Sequence, residues 1–148
     1  MTDTNPSEIH LADYTPPPYV IDAIDLAFDL AEEFTTVRSR LVLRRQAHAM
    51  DGAPLVLDGQ ELTLESVHMD GQALDGRAYA VTPESLIIDN PPANFVLDIE
   101  TRIEPQNNTA LEGLYKSSGN FVTQCEAEGF RKITYALDRP DALAVYNV

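Results

Sequence analysis

The sequence predicts an all-β domain, built as an antiparallel sandwich or curved sheet. Three observations carry this reading. Apolar and polar residues alternate with a period of two over long stretches, turn signals recur about every ten residues, and no window shows the 3.6-residue helical period with comparable strength. With 148 residues the chain has the size of one ordinary domain and can bury a core of its own.

Taken in order, residues 1–18 read as an arm. They are polar and then run into Tyr14-Thr-Pro-Pro-Pro18, which suits neither a helix nor a central strand. Residues 19–148 form the domain proper. Residues 20–30 place Ile24, Leu26, Phe28 and Leu30 on one side and Asp25 and Asp29 on the other, the pattern of a half-buried strand. After a turn at residues 32–35, residues 36–45 set Val37, Leu41 and Leu43 against Arg38, Arg40 and Arg44. The two segments predict a hairpin with the Asp face of one strand beside the Arg face of the other.

Short strands are expected at residues 55–57, 62–69, 79–81 and 86–88, with Asp58-Gly59, Asp70-Gly71 and Asp75-Gly76 as turns. A long alternation follows, with Phe95, Leu97, Ile99, Thr101 and Ile103 opposing Asp98, Glu100, Arg102 and Glu104. Residues 106–131 read as loop, rich in Gly, Asn and Ser, and such loops are where sites concentrate. A final apolar run over residues 142–148 predicts a strand, and the sequence ends inside it, as expected of a piece of a longer polypeptide.

Charge and composition narrow the function. Ten basic against 24 acidic residues give a net charge of −14, a field that repels phosphate backbones and anionic headgroups, so neither nucleic acid nor a membrane surface is an expected partner. No apolar run approaches the roughly 20 residues of a membrane helix, and residues 1–8 lack the basic and apolar regions of a secretory signal. A cytoplasmic setting is expected, and the single Cys125 fits a reducing compartment.

Self-contained catalysis finds little support. His10, His48 and His68 are scattered without a partner at helical spacing, so no zinc site is expected in the chain. Cys125 as a nucleophile is disfavoured by Glu126 and Glu128, whose charge would raise the thiol pKa. Those two carboxylates could form a glycosidase pair, yet the chain has no Trp and few aromatics to line a sugar cleft. Gly113 and Gly119 are too isolated to form a phosphate-cradling loop.

Asn108-Thr-Ala-Leu-Glu-Gly-Leu-Tyr115, then Gly119-Asn-Phe-Val-Thr-Gln-Cys-Glu-Ala-Glu-Gly-Phe-Arg-Lys-Ile-Thr-Tyr135 and Leu137-Asp-Arg-Pro-Asp141, carry a specific likeness. They resemble the amino-terminal domain of the aminopeptidase N family of gluzincin zinc metallopeptidases, above all its Gram-negative bacterial branch. The resemblance extends upstream through Leu11-Ala-Asp-Tyr-Thr-Pro-Pro, residues 20–30 and residues 38–45. Val122 stands where a cysteine is common in the family, and Ala136 where a bulkier residue often follows the Tyr.

The family's Gly-x-Met-Glu-Asn and His-Glu-x-x-His motifs do not occur in this sequence. The resemblance therefore implies a curved, saddle-like antiparallel β-sandwich that docks on a separate catalytic domain of the same polypeptide, with Zn2+ held there. It implies no cofactor and no catalytic residue in this chain. Glu126 would hold the α-amine of the peptide substrate N-terminus, Gln124 would line the pocket for the first side chain, and Cys125 would touch that pocket's wall. If residues 124–126 are extended, Gln124 and Glu126 share one face and Cys125 turns to the other.

The competing reading of Glu126 is a surface ion pair with Arg131 or Lys132, worth about 0–1 kcal/mol. Two rival functions stand beside the enzyme: a stand-alone β-sandwich binding module, and a domain that only braces a neighbour. A His-Glu-x-x-His motif downstream would separate the first reading from both.

Overall fold

The computed structural model describes residues 10–148, and the first half of the expected arm, residues 1–9, lies outside the described residues. Eleven strands follow in chain order: β1 (Tyr19–Leu30), β2 (Thr35–Arg45), β3 (Leu55–Asp58), β4 (Thr63–Met69), β5 (Gln72–Ala73), β6 (Tyr79–Val81), β7 (Ser85–Ile88), β8 (Asn94–Ile103), β9 (Gly113–Ser117), β10 (Asn120–Gln124) and β11 (Val145–Asn147). The only helical turns among the described residues are three-residue 3-10 segments, so the all-β expectation holds.

The strands form a six-stranded sheet in the order β11-β1-β2-β8-β4-β5, a three-stranded sheet β3-β7-β6, and a separate hairpin of β9 and β10. Every pairing is antiparallel except β11 on β1, which is parallel. That exception follows from the long excursion between the two strands, since a parallel pair cannot be joined by a tight turn.

The period-two patterns explain the packing. Ile21, Ile24, Leu41, Leu43, Leu97 and Ile99 of the large sheet meet Leu55, Leu57, Leu86 and Ile88 of the small one, all essentially removed from water. Burying each such side chain stabilises the fold by about 1.5–3 kcal/mol. In β1 a bulge between Ile21 and Ala23 resets the alternation, so that Tyr19 and Ile21 point the same way as Ile24. Beyond the bulge the strand runs out of the core, and Leu30, expected inside, is about half exposed.

On the outer face Arg44 donates to Asp22 of β1 at 3.0 and 3.1 Å, rather than to the expected Asp25 or Asp29. Arg38 and Arg40 turn instead to the strand on the other side, reaching Glu100 at 2.8 Å and Asp98 at 3.4 Å. β2 lies between β1 and β8, and the acidic residues of β8 are in register with its arginines.

A second core of Val37, Ile103, Leu114 and Ile133 fills one end of the large sheet. Here the structure corrects the expectation of loop over residues 106–131, because β9 and β10 pair over five residues. Polar Lys, Ser, Asn and Thr positions hide the alternation of a hairpin that is only half buried. Its turn has positive φ at both Ser118 and Gly119, and Lys116 lies over the Phe121 ring at 4.9 Å.

The arm, as far as it is described, is tied down. Tyr14 Oη donates to Asp141 at 2.8 Å, Arg139 Nη2 donates to the Thr15 carbonyl at 3.0 Å, and Gln46 holds the carbonyls of Pro17 and Pro18.

Candidate functional site

Gln124, Cys125 and Glu126 sit where the hairpin hands over to a tight turn. β10 ends at Gln124, and residues 126–129 form the turn, closed by a hydrogen bond from Gly129 N–H to the Cys125 carbonyl at 2.9 Å. The Glu126–Ala127 peptide bond is cis. Regular strand ends before Glu126, yet the alternation in exposure survives: Gln124 and Glu126 are exposed and Cys125 is half buried against the second core.

Two glycines let the turn lie flat on the hairpin. Gly113 opens β9 with φ +73°, a conformation that side chains resist, and a Cβ on it would stand 2.8 Å from Lys132 Cβ. A Cβ on Gly129 would stand 2.5 Å from the Gln124 carbonyl oxygen and 3.1 Å from Gly113 N. The two backbones thus touch with nothing between them.

Beyond the turn, residues 130–138 are threaded between the sheets. Thr134 Oγ1 lies 3.1 Å from Ser39 Oγ, and Thr101 Oγ1 donates to the Ile133 carbonyl at 3.3 Å. On the other side Asp58 and Ala136 exchange backbone hydrogen bonds at 2.7 and 3.1 Å. Phe130 meets the ring of Tyr146 edge-on at 5.7 Å, which joins the turn to β11.

The surface ion pair weighed for Glu126 is not present. Arg131 is taken by Asp138 at 3.0 Å and Glu128 at 3.3 Å, and Lys132 by Glu112 at 3.3 Å and Glu61 at 3.6 Å. Both cations are held by partly buried Asp138 and the acids flanking the hairpin, which leaves Glu126 without an ion pair among the described residues. The contacts of Arg131 with Asp138, and of Asp138 with Asp58, had no signal in the sequence, where Leu137-Asp-Arg-Pro-Asp141 entered only as part of the family likeness.

Cys125 is raised above the ordinary thiol range, first by burial and second by the charge of Asp138, rather than by Glu126 and Glu128. A raised pKa leaves less thiolate at neutral pH. Alkylation of Cys125 at pH 7 should therefore run slower than that of a free thiol and accelerate only as pH passes the usual cysteine range. Mass-spectrometric time courses across pH would show this, and a rate equal to free cysteine at pH 7 would refute it.

Cavities occur elsewhere. One of about 210 Å³ beside the hairpin is lined by Glu61, Arg102, Asn108 and Lys132, and one of about 320 Å³ on the outer face of the large sheet by Arg38, Arg40, His68 and Asp98. Neither is lined by Gln124, Cys125 or Glu126. Among the described residues no three His, Cys, Asp or Glu side chains come together as a metal site, and no helix is long and apolar enough to cross a membrane.

Comparison with known proteins gives a consistent picture. The family model for the peptidase M1 N-terminal domain matches residues 20–148. The chain is 48% identical over 147 residues to aminopeptidase N of Caulobacter vibrioides, covering 99% of this chain and 17% of that protein. It is 47% identical over 135 residues to aminopeptidase N of Escherichia coli, covering 91% of this chain and 15% of that protein. The chain thus spans about a sixth of the length of these relatives.

Among solved structures, aminopeptidase A of Legionella pneumophila in complex with aspartic acid superposes with a TM-score of 0.83 at 34% identity, covering 92% of this chain and 16% of that one. An M1 zinc metallopeptidase of Deinococcus radiodurans shares the fold, with a TM-score of 0.70 at 16% identity over 87% of this chain and 31% of that one.

Proposed function

Because the chain belongs to the peptidase M1 N-terminal domain family, we propose that it is the amine-anchoring domain of a zinc-dependent aminopeptidase, which releases N-terminal amino acids from peptides. Residues 19–148 are read as the domain and residues 1–18 as its arm, in a cytoplasmic protein whose lone thiol stays reduced. Glu126 holds the substrate α-ammonium, Gln124 lines the pocket for the first side chain, and Cys125 touches the pocket wall.

The observation that carries this reading is Glu126 itself. It is an exposed carboxylate on a turn clamped from both sides, with no ion pair among the described residues to neutralise it. A peptide N-terminus carries an ammonium with a pKa of about 7.7–8.0, for which a carboxylate is the natural partner. Fixing the ammonium at a set distance from the bond to be cut limits cleavage to the first residue.

The zinc that the family implies does not fit the described residues, among which no ligand set comes together. Its ligands, and the chemistry of bond cleavage, would come from a catalytic domain elsewhere in the same polypeptide. Exposed apolar side chains at Leu143, Val145 and Tyr146 support the presence of such a partner.

The test compares substrates. The full-length polypeptide should cleave an aminoacyl anilide and spare its N-acetylated counterpart, whereas the isolated 148-residue chain should cleave neither. Equal turnover of the acetylated substrate would remove the role of the amine.

A further inference from the structure

We propose that Arg131 is a positioning residue for the Glu126 carboxylate, setting where the amine anchor stands relative to the body of the domain. This rests on the reading of Glu126 as that anchor. Glu126 has no ion pair of its own among the described residues, so its place in space is inherited from the backbone of residues 125–129. The amino-terminal side of that turn is held by β10. Its carboxy-terminal side is held by the packing of Gly129 on the hairpin, by Phe130 against Tyr146 and by the Arg131 guanidinium.

Arg131 Nε and its own backbone N–H both donate to Asp138 Oδ2 at 3.0 Å, while Nη2 donates to the Asp138 carbonyl at 2.8 Å. The same Nη2 lies 3.3 Å from Glu128 Oε2, inside the turn and two residues from Glu126. Asp138 is fixed in turn, its N–H donating to Asp58 Oδ2 at 3.0 Å on β3, and the Arg131 carbonyl accepts from Gln60 N–H at 2.9 Å. A planar fork thus ties the anchor-bearing turn to β3. Side-chain exposures of 17% for Arg131 and 11% for Asp138 keep the link largely out of water, where such contacts are screened least. Lysine, a point charge without the fork, cannot make these contacts together.

The test uses the full-length polypeptide and an aminoacyl anilide, with Arg131→Lys, Glu126→Gln and the double variant compared at equal metal content. Arg131→Lys should raise KM about tenfold with kcat changed by less than about threefold, the scale of one lost charge-assisted contact. The double variant should be no worse than Glu126→Gln alone, because a displaced anchor and an absent one cost the same step. Asp138→Asn, which keeps shape and weakens the clamp from its other end, should shift KM in the same direction and carries the test if Arg131→Lys folds poorly.

A wild-type KM in both clamp variants would overturn the proposal, as would losses that add in full to those of Glu126→Gln. If Glu126→Gln is impaired while the clamp variants are not, only the role of Arg131 fails. If Glu126→Gln is itself silent, the amine anchor fails and the role of Arg131 with it.

Discussion

Glu126→Gln in the full-length polypeptide is expected to lower kcat/KM on an aminoacyl anilide by about ten- to a hundredfold while leaving zinc content unchanged. The substitution preserves shape and one acceptor and removes only the charge. A charge-assisted hydrogen bond contributes about 1.5–3 kcal/mol, which converts to that range. The structure makes the substitution clean, since Glu126 has no ion pair among the described residues whose loss could be confused with that of the substrate. Part of the deficit should appear in kcat, because a loosely held amine misplaces the carbonyl as well.

The unsubstituted full-length polypeptide should also lose apparent affinity as pH rises past about 8 and the substrate amine gives up its proton, a limb that the Glu126→Gln variant should flatten. Unaltered kcat/KM would remove Glu126 from the site. Lost zinc would mean that its role had been misassigned.

Gly129→Ala is expected to damage both stability and activity. Its Cβ would press on the Gln124 carbonyl oxygen at 2.5 Å, on Cys125 Cα at 3.0 Å and on Gly113 N at 3.1 Å, all backbone atoms with no side chain free to swing aside. Overpacking of this kind costs about 1–3 kcal/mol. The turn must lift from the hairpin, carrying Glu126 with it, and a displacement of about 1 Å can cost a hundredfold in rate. Urea unfolding and anilide kinetics on one preparation would read both effects. Gly76→Ala, where a Cβ meets nothing within 4 Å, is the control expected to leave both unchanged. A Gly129→Ala protein of wild-type stability and activity would show that the close backbone contact is dispensable.

The long strands β1, β2 and β8 were legible because each buries one face over much of its length. β2 and β8 alternate without interruption and were placed within a residue or two of their observed ends. What the period could not show was neighbourhood: Arg38 and Arg40 could face the acids of β1 or of β8, and only the strand order decides for β8. The hairpin of β9 and β10 escaped notice because a small, half-exposed element needs few apolar residues, so its sequence resembles loop.

The trio Gln124, Cys125 and Glu126 came from likeness to a family rather than from any pattern. Its supports were beyond sequence reasoning altogether. Asp58 lies 80 positions before the Asp138 amide that it receives, and Gly129 matters for an approach of two backbones rather than for an unusual torsion.

The parallel seating of β11 on β1 has a consequence for synthesis. Asn147 donates to Asp25 across 122 positions, so the outer edge of β1 stays unpaired until residues 145–147 have been made. At about 5–20 residues per second, that is roughly 6–24 s on the ribosome, long enough for an open strand edge to find another nascent chain. Asp25 and Asp29 place negative charge along β1, which would make two such edges repel each other during the wait. The charge that disfavours polyanions as partners would therefore also act earlier, keeping the edge of β1 single until residues 145–147 arrive.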